Sequence, residues 1–169
     1  MKTIKPHIII LGCNFAGLTT ARYIHASVKG KADITIIDRK SLLTFVPNIP
    51  MQVLANINPA IDMQFKFMSF LEHDGSEFIQ AKVTTIDPDT NTVYYQPNER
   101  TGHPVRKIQY DYLVVALGNR LAYDHIDGFA ENGHSVTDVF LGNRLRNYLH
   151  KEYKGGPIAI TSNIFHQGK

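Results

Sequence analysis

Cysteine is almost absent from this sequence of 169 residues, and tryptophan is entirely absent. The single cysteine, Cys13, excludes internal disulfides and cysteine-based metal sites, and it is typical of a protein from a reducing compartment such as the cytoplasm. The eight histidines include no His-x-His or His-x-x-x-His pair, so the sequence predicts no metal site.

Charge and hydropathy narrow the function classes further. The formal net charge is only +3, and no run of basic residues is long enough to indicate a nucleic-acid groove. No apolar run approaches the ~18 residues of a membrane-spanning helix, and no signal peptide precedes the first apolar strand. We therefore expect a cytoplasmic globular protein that binds no nucleic acid.

Residues 8–38 carry the most informative pattern. The apolar strand 8–11 runs into Gly12-Cys13-Asn14-Phe15-Ala16-Gly17, a helix is predicted over residues 15–28, and a second strand ends on Asp38. This order is typical of a dinucleotide-binding βαβ unit, with a sharp turn at Gly12, close helix packing at Gly17 and ribose hydroxyls on Asp38. Asn14 replaces the middle glycine, which predicts an altered but not abolished pyrophosphate site. A βαβ unit that binds no nucleotide is the alternative.

The remaining chain predicts an α/β fold of Rossmann-like type. A continuous apolar run at residues 110–118 predicts a strand buried on both faces of a parallel sheet. Before it, three stretches of alternating or β-rich character predict a three-stranded β-meander. The predicted helices and strands of this part are helices 51–55, 63–72 and 139–153, and strands 78–86, 92–96, 105–109 and 157–162.

These motifs resemble the N-terminal part of FAD-dependent pyridine nucleotide-disulfide oxidoreductases, in the branch of sulfide:quinone oxidoreductases and type II NADH dehydrogenases. The resemblance extends over essentially the whole chain. The proline-rich segment 45–50 and residues 165–168 resemble the sulfide:quinone branch more closely. The segments that carry the resemblance are residues 12–18, 36–39, 45–50, 83–87, 93–95, 110–118 and 155–160.

The resemblance implies FAD as the cofactor. It places the glycine turn on the pyrophosphate, Asp38 on the adenosine ribose, and Ala116–Gly118 in the family's second FAD-contacting motif, where Leu117 replaces the usual threonine. The implied cofactor-binding residues are Gly12, Asn14, Phe15, Ala16, Gly17, Asp38, Arg39, Lys40, Val46, Pro47, Lys82, Val83, Ala116, Leu117 and Gly118.

This chain departs from the family at a position on which the family's chemistry depends. Sulfide:quinone oxidoreductases use a pair of cysteines beside the flavin, and the first of these positions is occupied here by Thr137, so we predict no catalytic residue in this chain. Either Thr137 or Asp138 can cap the helix 139–153, and we expect Thr137 to serve as a cap. Cys13 matches no redox cysteine and is interpreted as a small residue of the turn.

The resemblance also predicts the domain organisation. Residues 1–118 form the first segment of the FAD-binding domain, and residues 119–154 form a connecting segment and helix. Residues 155–169 begin a second nucleotide-binding domain. The first domain lacks its C-terminal return strand, which leaves a sheet edge open to a homo-oligomer or to residues 157–161.

The implied function is two-electron transfer from a small reductant through FAD to a quinone. Peripheral membrane association, on the cytoplasmic face, would come only from the family's C-terminal region. A type II NADH:quinone dehydrogenase and a non-catalytic FAD- or nucleotide-binding fragment are the alternatives.

Overall fold

The computed structural model describes residues 5–66, 68–71, 75–98, 102–119 and 123–160. The strands are β1 (His7–Leu11), β2 (Asp33–Asp38), β3 (Leu42–Thr44), β4 (Gln64–Lys66), β5 (Glu77–Asp87), β6 (Thr92–Pro97), β7 (Arg106–Gln109) and β8 (Tyr112–Val115). The helices are α1 (Phe15–Val28), α2 (Ile49–Leu54), α3 (Pro59–Asp62), α4 (Met68–Leu71), α5 (Phe129–Asn132) and α6 (Val139–Asn147). Short 3-10 turns cover Val46–Asn48 and Tyr123–His125, and a π-helical turn covers Tyr148–Glu152.

The central sheet has the strand order β7-β6-β5-β2-β1-β8. Strand β1 pairs in parallel with β2 and with β8, and β2 pairs in parallel with β5. Strands β5, β6 and β7 then continue as an antiparallel meander. The structure therefore confirms the Rossmann-like α/β fold with a parallel sheet and a three-stranded meander.

Strands β1 and β2 form the core because both of their faces are covered. Ile8 and Ile10 pack on the side of α1, with Leu18 and Ala21 of that helix. The alternate residues of β1, with Ile37 of β2, face Ala81, Val93 and Tyr95 of the meander on the other side. This two-sided burial explains the unbroken apolar runs of the first two strands.

Strand β8 corrects one prediction from the sequence. The run 110–118 was expected to be buried on both faces, yet β8 is short, and its end residues Tyr112 and Val115 are 63% and 59% exposed. In the described part of the chain, β8 lies at the edge of the sheet and has only β1 as a neighbour. Its apolar sequence is therefore that of an inner strand, while its position is that of an edge strand.

The segment 63–72 corrects a second prediction. It was expected to be one helix, but β4 (Gln64–Lys66) pairs antiparallel with β3, and only α4 (Met68–Leu71) is helical. Pairing with β3, which is extended by the Phe45 N–H donating to Met63 O at 2.8 Å, overrides local helix propensity. Leu71 is buried as predicted, whereas the side chains of Phe67 and Phe70 lie outside the described part.

The helical span 139–153 is confirmed as α6 followed by the π-helical turn. Helix α6 packs on α2 and α3, where Gly142 lies against Ile49 and Val53. The strand predicted at 157–162 is wrong for residues 157–160, which form no strand, and residues 161 and 162 lie outside the described part.

Candidate cofactor-binding site

The glycine turn between β1 and α1 is built by two close backbone approaches. Gly12 has φ of +95°, and a Cβ there would lie 2.2 Å from the carbonyl oxygen of Ala116. A Cβ on Gly17 would lie 1.8 Å from the carbonyl oxygen of Gly12. Both positions therefore require glycine, the first for its backbone angle and for contact with the chain after β8, the second for contact with the turn itself.

Asn14 stands at the N-cap of α1 with φ of −90° and ψ of −157°, angles that any residue adopts. The fold therefore does not need the glycine that dinucleotide-binding sequences usually carry there. Its side chain makes no capping hydrogen bond, and its Oδ1 is buried with no partner. The first-turn amides of α1 have no intrahelical acceptor either. The positive helix dipole and these backbone N–H donors are what this end of the helix offers to an anionic ligand, whereas Asn14 Oδ1 can only accept a hydrogen bond.

Asp38 ends β2 beside this turn, and each of its carboxylate oxygens accepts one backbone hydrogen bond. Oδ2 accepts from the Cys13 N–H at 2.7 Å, and Oδ1 accepts from the Lys40 N–H at 2.8 Å. A carboxylate has about four lone-pair sites, so both oxygens can still accept from ribose hydroxyls. The bond to Cys13 fixes the carboxylate relative to the glycine turn.

Cys13 is fully buried next to this carboxylate. Burial, and secondarily the charge of Asp38, raise the pKa of its thiol from 9.0 to about 12. The thiol is therefore neutral at physiological pH and a poor nucleophile. This environment supports the interpretation of Cys13 as a small structural residue of the turn.

The second predicted motif, Ala116–Gly118, lies directly against the first. The Ala116 N–H donates to Leu11 O at 2.7 Å, and its carbonyl is the group closest to Gly12. Gly118 has φ of +75°, a backbone angle that favours glycine. Leu117 is exposed between them. The structure thus brings the two sequence motifs together at the carboxyl ends of β1 and β8, where open α/β sheets bind their ligands.

The predicted adenine-side residues lie at the ends of β2 and β5. The carbonyl of Arg39 accepts hydrogen bonds from Gln80 Nε2 at 3.2 Å and from Asn98 Nδ2. Gln80 pairs with Asp38 across the two strands, and Lys82 lies two residues further along β5. Arg39, Lys40 and Lys82 are exposed, while Val83 packs into the core beneath them.

The predicted flavin-side residues lie on a short 3-10 turn. Val46 and Pro47 belong to this turn, directly after Phe45. The ring of Phe45 contacts the ring of Phe15 edge-on, with 5.7 Å between centroids, which connects this turn to the start of α1. Ala16 follows Phe15 in the exposed part of the first helical turn.

Thr137 corrects the capping prediction. The cap of α6 is Asp138, whose Oδ1 accepts from the Leu141 N–H at 2.8 Å. The hydroxyl of Thr137 instead lies 2.8 Å from Ser135 Oγ and 3.1 Å from the Tyr123 hydroxyl. Asp wins because a carboxylate is a charged acceptor at the positive end of a helix.

Several contributors to the site were not identified from the sequence. Phe45, Gln80 and Asn98 position predicted residues, and Tyr123 and Ser135 hold Thr137. The pairing of Gln80 with Asp38 follows from strand register, which a correct alignment of β2 and β5 would have given. No local signal in the sequence indicates that the hydroxyl groups of Tyr123, Ser135 and Thr137 lie together.

A cavity of about 630 Å³ lies at the opposite end of the sheet, at the amino ends of β1, β2 and β5. His7 and Thr35 line it and are hydrogen-bonded to each other at 2.8 Å. It lies away from the glycine turn, so it is no part of the candidate cofactor-binding site. In the described part of the chain, no helix has the length and apolar character needed to cross a membrane, and no three metal-binding side chains converge.

Comparison with known proteins assigns this architecture to a family. Residues 6–152 match the family described as "Pyridine nucleotide-disulphide oxidoreductase". The chain is 29% identical over 158 residues to the sulfide-quinone reductase of Aquifex aeolicus, and 24% identical over 150 residues to the type II NADH:quinone oxidoreductase of Staphylococcus haemolyticus. These alignments cover 93% and 88% of this chain, but only 34% and 35% of the respective relatives.

Solved structures give the same picture of the fold. The sulfide:quinone oxidoreductase structure from Aquifex aeolicus matches with a TM-score of 0.72 and 28% identity, over 85% of this chain and 31% of that one. The structure of NDH2 from Plasmodium falciparum in complex with NADH matches with a TM-score of 0.68 at 23% identity, over 85% of this chain and 28% of that one, which supports the fold alone. The chain therefore spans about a third of the length of the relatives it matches.

Proposed function

Because the chain belongs to the pyridine nucleotide-disulphide oxidoreductase family, we propose that it is the FAD-binding portion of a flavoprotein that passes two electrons from a reductant through FAD to a quinone. The proposal favours the sulfide:quinone oxidoreductase type. In a complete enzyme, a quinone and a small reductant would be the partners. The single cysteine favours a reducing compartment, which would be the cytoplasm.

One observation carries the FAD proposal. Asp38, the glycine turn and Ala116–Gly118 form a single hydrogen-bonded unit, in which Asp38 Oδ2 accepts from Cys13 N–H and the Ala116 N–H donates to Leu11 O. The unit offers free helix amides for a pyrophosphate and a carboxylate for ribose hydroxyls. The residues present therefore fit the adenosine and diphosphate part of a dinucleotide.

Each predicted residue has a role in this proposal. The backbone of the glycine turn would hold the pyrophosphate, and Asp38 would hold the ribose and exclude a 2′-phosphate by charge repulsion. Arg39, Lys40 and Lys82 would border the adenine, while Val46 and Pro47 would border the flavin ring. When bound, FAD would supply the two-electron chemistry.

A type II NADH:quinone dehydrogenase is the second candidate, and Thr137 favours it. A hydroxyl cannot form the disulfide or persulfide that sulfide oxidation needs. The Thr137 hydroxyl is also occupied by Tyr123 and Ser135. A flavoprotein that accepts a hydride from NADH needs no cysteine at this position. A non-catalytic nucleotide-binding fragment is the third candidate.

The proposal is tested by titrating the purified chain with FAD, ADP and FMN, following flavin fluorescence for FAD and FMN and heat for ADP. We expect FAD to bind and ADP to compete with it. FMN should bind at least about tenfold more weakly than FAD, a difference in binding free energy of about 1.4 kcal/mol. Asp38→Asn should weaken FAD binding, whereas Asp33→Asn, at the other end of β2, should not. Equal binding of FMN, or no FAD binding by a folded chain, would refute the proposal.

The donor is tested on the FAD-loaded chain under anaerobic conditions. Bleaching of the flavin absorbance by NADH but not by sulfide would favour the NADH candidate. Bleaching by sulfide would restore the sulfide type despite Thr137. Tight FAD binding without bleaching by either would favour the non-catalytic fragment.

A further inference from the structure

Two side-chain carboxamides meet on one backbone carbonyl beside Asp38. The carbonyl of Arg39, the next residue in the chain, accepts hydrogen bonds from Gln80 Nε2 at 3.2 Å and from Asn98 Nδ2. The backbone N–H of Asn98 also donates to Gln80 O at 3.1 Å. The two carboxamides are therefore held together by three parts of the chain, which are the end of β2, strand β5 and the residue after β6.

The bonds to Arg39 decide which carboxamide atoms are left for other partners. A carboxamide has two N–H donors and one oxygen acceptor. Because one N–H of each group is used on the Arg39 carbonyl, the bonds leave the oxygen and the second N–H of each group. Gln80 and Asn98 are both exposed, so a ligand can reach these atoms. The pair therefore offers donors and acceptors side by side.

The order of the strands places this pair on the base side of the proposed nucleotide. Gln80 is the direct partner of Asp38 in the pairing of β2 with β5, and neighbouring strands are about 4.8 Å apart. The strands follow one another as β5, β2 and β1. With the diphosphate at the glycine turn after β1 and the ribose on Asp38 at the end of β2, the base extends toward β5. It there meets the carboxamides of Gln80 and Asn98.

A carboxamide is complementary to adenine. Its oxygen accepts from the amino group at C6 and its N–H donates to N7, as Asn and Gln do when they read adenine in DNA. Hypoxanthine and guanine carry an oxygen at C6, which would meet the carboxamide oxygen as acceptor against acceptor. The ammonium groups of Lys40 and Lys82 only donate hydrogen bonds, so they cannot recognise an amino group. The carboxamides are thus the groups suited to distinguish these bases.

We propose that Gln80 and Asn98 determine the base specificity of the cofactor site, and that they select adenine over purines with an oxygen at C6. The inference rests on the proposed function, because it requires a nucleotide with its ribose on Asp38. It goes beyond that function because it assigns base recognition to two side chains, both fixed by the Arg39 carbonyl.

The test compares ADP with inosine diphosphate, in which an oxygen replaces the amino group at C6. Binding of each nucleotide to the purified chain is measured by isothermal titration calorimetry. We expect the wild type to bind ADP at least about tenfold more tightly than inosine diphosphate. Gln80→Ala together with Asn98→Ala should bring the two dissociation constants to within about threefold of each other. Both residues are exposed, so the double variant leaves the core intact.

Gln96→Ala is the matched control. Gln96 is also a carboxamide held on a backbone carbonyl, since its Nε2 donates to His103 O at 3.3 Å. Its bond joins it to the chain before β7 and not to Arg39. The control should keep the preference of the wild type for ADP. If it loses that preference as fully as the double variant does, the assignment to Gln80 and Asn98 is wrong.

The ratio of the two affinities separates base recognition from a supporting role. If Gln80 and Asn98 only hold Arg39 in place, the double variant will lose affinity for both nucleotides equally and keep the ratio of the wild type, which would overturn the proposal. A wild type that binds ADP in competition with FAD but does not distinguish inosine diphosphate would overturn it while the FAD proposal stands. A folded chain that binds neither nucleotide would overturn both.

Discussion

Because the Cys13 thiol is buried, we expect the free energy of unfolding to fall as the pH rises above 9. The pKa of this thiol rises from 9.0 to about 12 on folding. Below pH 9 the thiol is neutral in both states and contributes nothing to the pH dependence. Between pH 9 and 12 only the unfolded chain ionises, so the free energy of unfolding falls as pH rises. At about 1.4 kcal/mol per pKa unit, the loss at pH 11 is about 3 kcal/mol.

The assay compares urea unfolding of the wild type and of Cys13→Ala at pH 8 and at pH 11. The titrations of tyrosines and lysines are common to both proteins and cancel in the difference, and the small cavity left by alanine adds the same cost at both pH values. We expect the wild type to lose about 3 kcal/mol more than the variant. Equal losses would show that the thiol ionises normally and that the turn is open to water.

Asp38 is the secondary cause of this shift, which connects the experiment to the site. The same neutral thiol keeps a second negative charge away from the place where a pyrophosphate would bind. A Cys13 that ionised near neutral pH would repel the pyrophosphate that we propose for the glycine turn.

Two further comparisons test packing and capping. Gly17→Ala should lower the free energy of unfolding by about 3 kcal/mol or more, because the new Cβ meets the backbone oxygen of Gly12 at 1.8 Å. Gly142→Ala, whose Cβ would meet side-chain rather than backbone atoms, Ile49 Cγ2 at 2.8 Å and Val53 Cγ2 at 3.4 Å, should cost less, about 1 kcal/mol; thermal unfolding ranks the two, and the reverse order would contradict the geometry. Asp138→Ala should cost about 1 kcal/mol by loss of the α6 cap, whereas Thr137→Ala should leave helix α6 capped; urea unfolding with helix content by circular dichroism separates them, and an equal loss of helix would restore Thr137 as the cap.

The sequence predicted the structure correctly where the local pattern and the tertiary environment favour the same conformation. Helix α1 has the predicted bounds, Phe15–Val28, because the glycine turn before it and the buried residues along one of its faces both favour a helix. The meander was also predicted, since its strands alternate and are separated by turn residues. The glycine turn, Asp38 and Ala116–Gly118 were placed together by motif order, and the structure brings them together.

Prediction failed where pairing partners decide the local structure. Residues 64–66 have helical composition but complete a hairpin with β3, which only the fold supplies. The run 110–118 reads as an inner strand, but burial depends on neighbours that a sequence pattern does not specify. Thr137 and Asp138 are both good caps, and the structure decides between them, because Asp138 Oδ1 accepts from the Leu141 N–H while the Thr137 hydroxyl contacts Tyr123 and Ser135. The domain boundaries at 118 and 154, and the FAD-contacting roles of the site residues, stay predictions.

The two ends of the proposed cofactor site differ in how far this part of the protein builds them. The diphosphate and ribose end is held by bonds among β1, α1, β2 and the chain after β8, as in the contacts of Asp38 with Cys13 and of Ala116 with Leu11. The predicted flavin-side residues have less support: Pro47 is exposed, and Phe45, which directly precedes their turn, packs on Phe15 at the surface. We therefore infer that the adenosine half of FAD supplies most of the affinity of this chain, and that ordering of the flavin ring depends on protein surface beyond these 169 residues. A flavin that is bound but still fluoresces as brightly as free FAD, and remains accessible to a soluble quencher such as iodide, would fit this division, and a flavin shielded from iodide in this chain alone would contradict it.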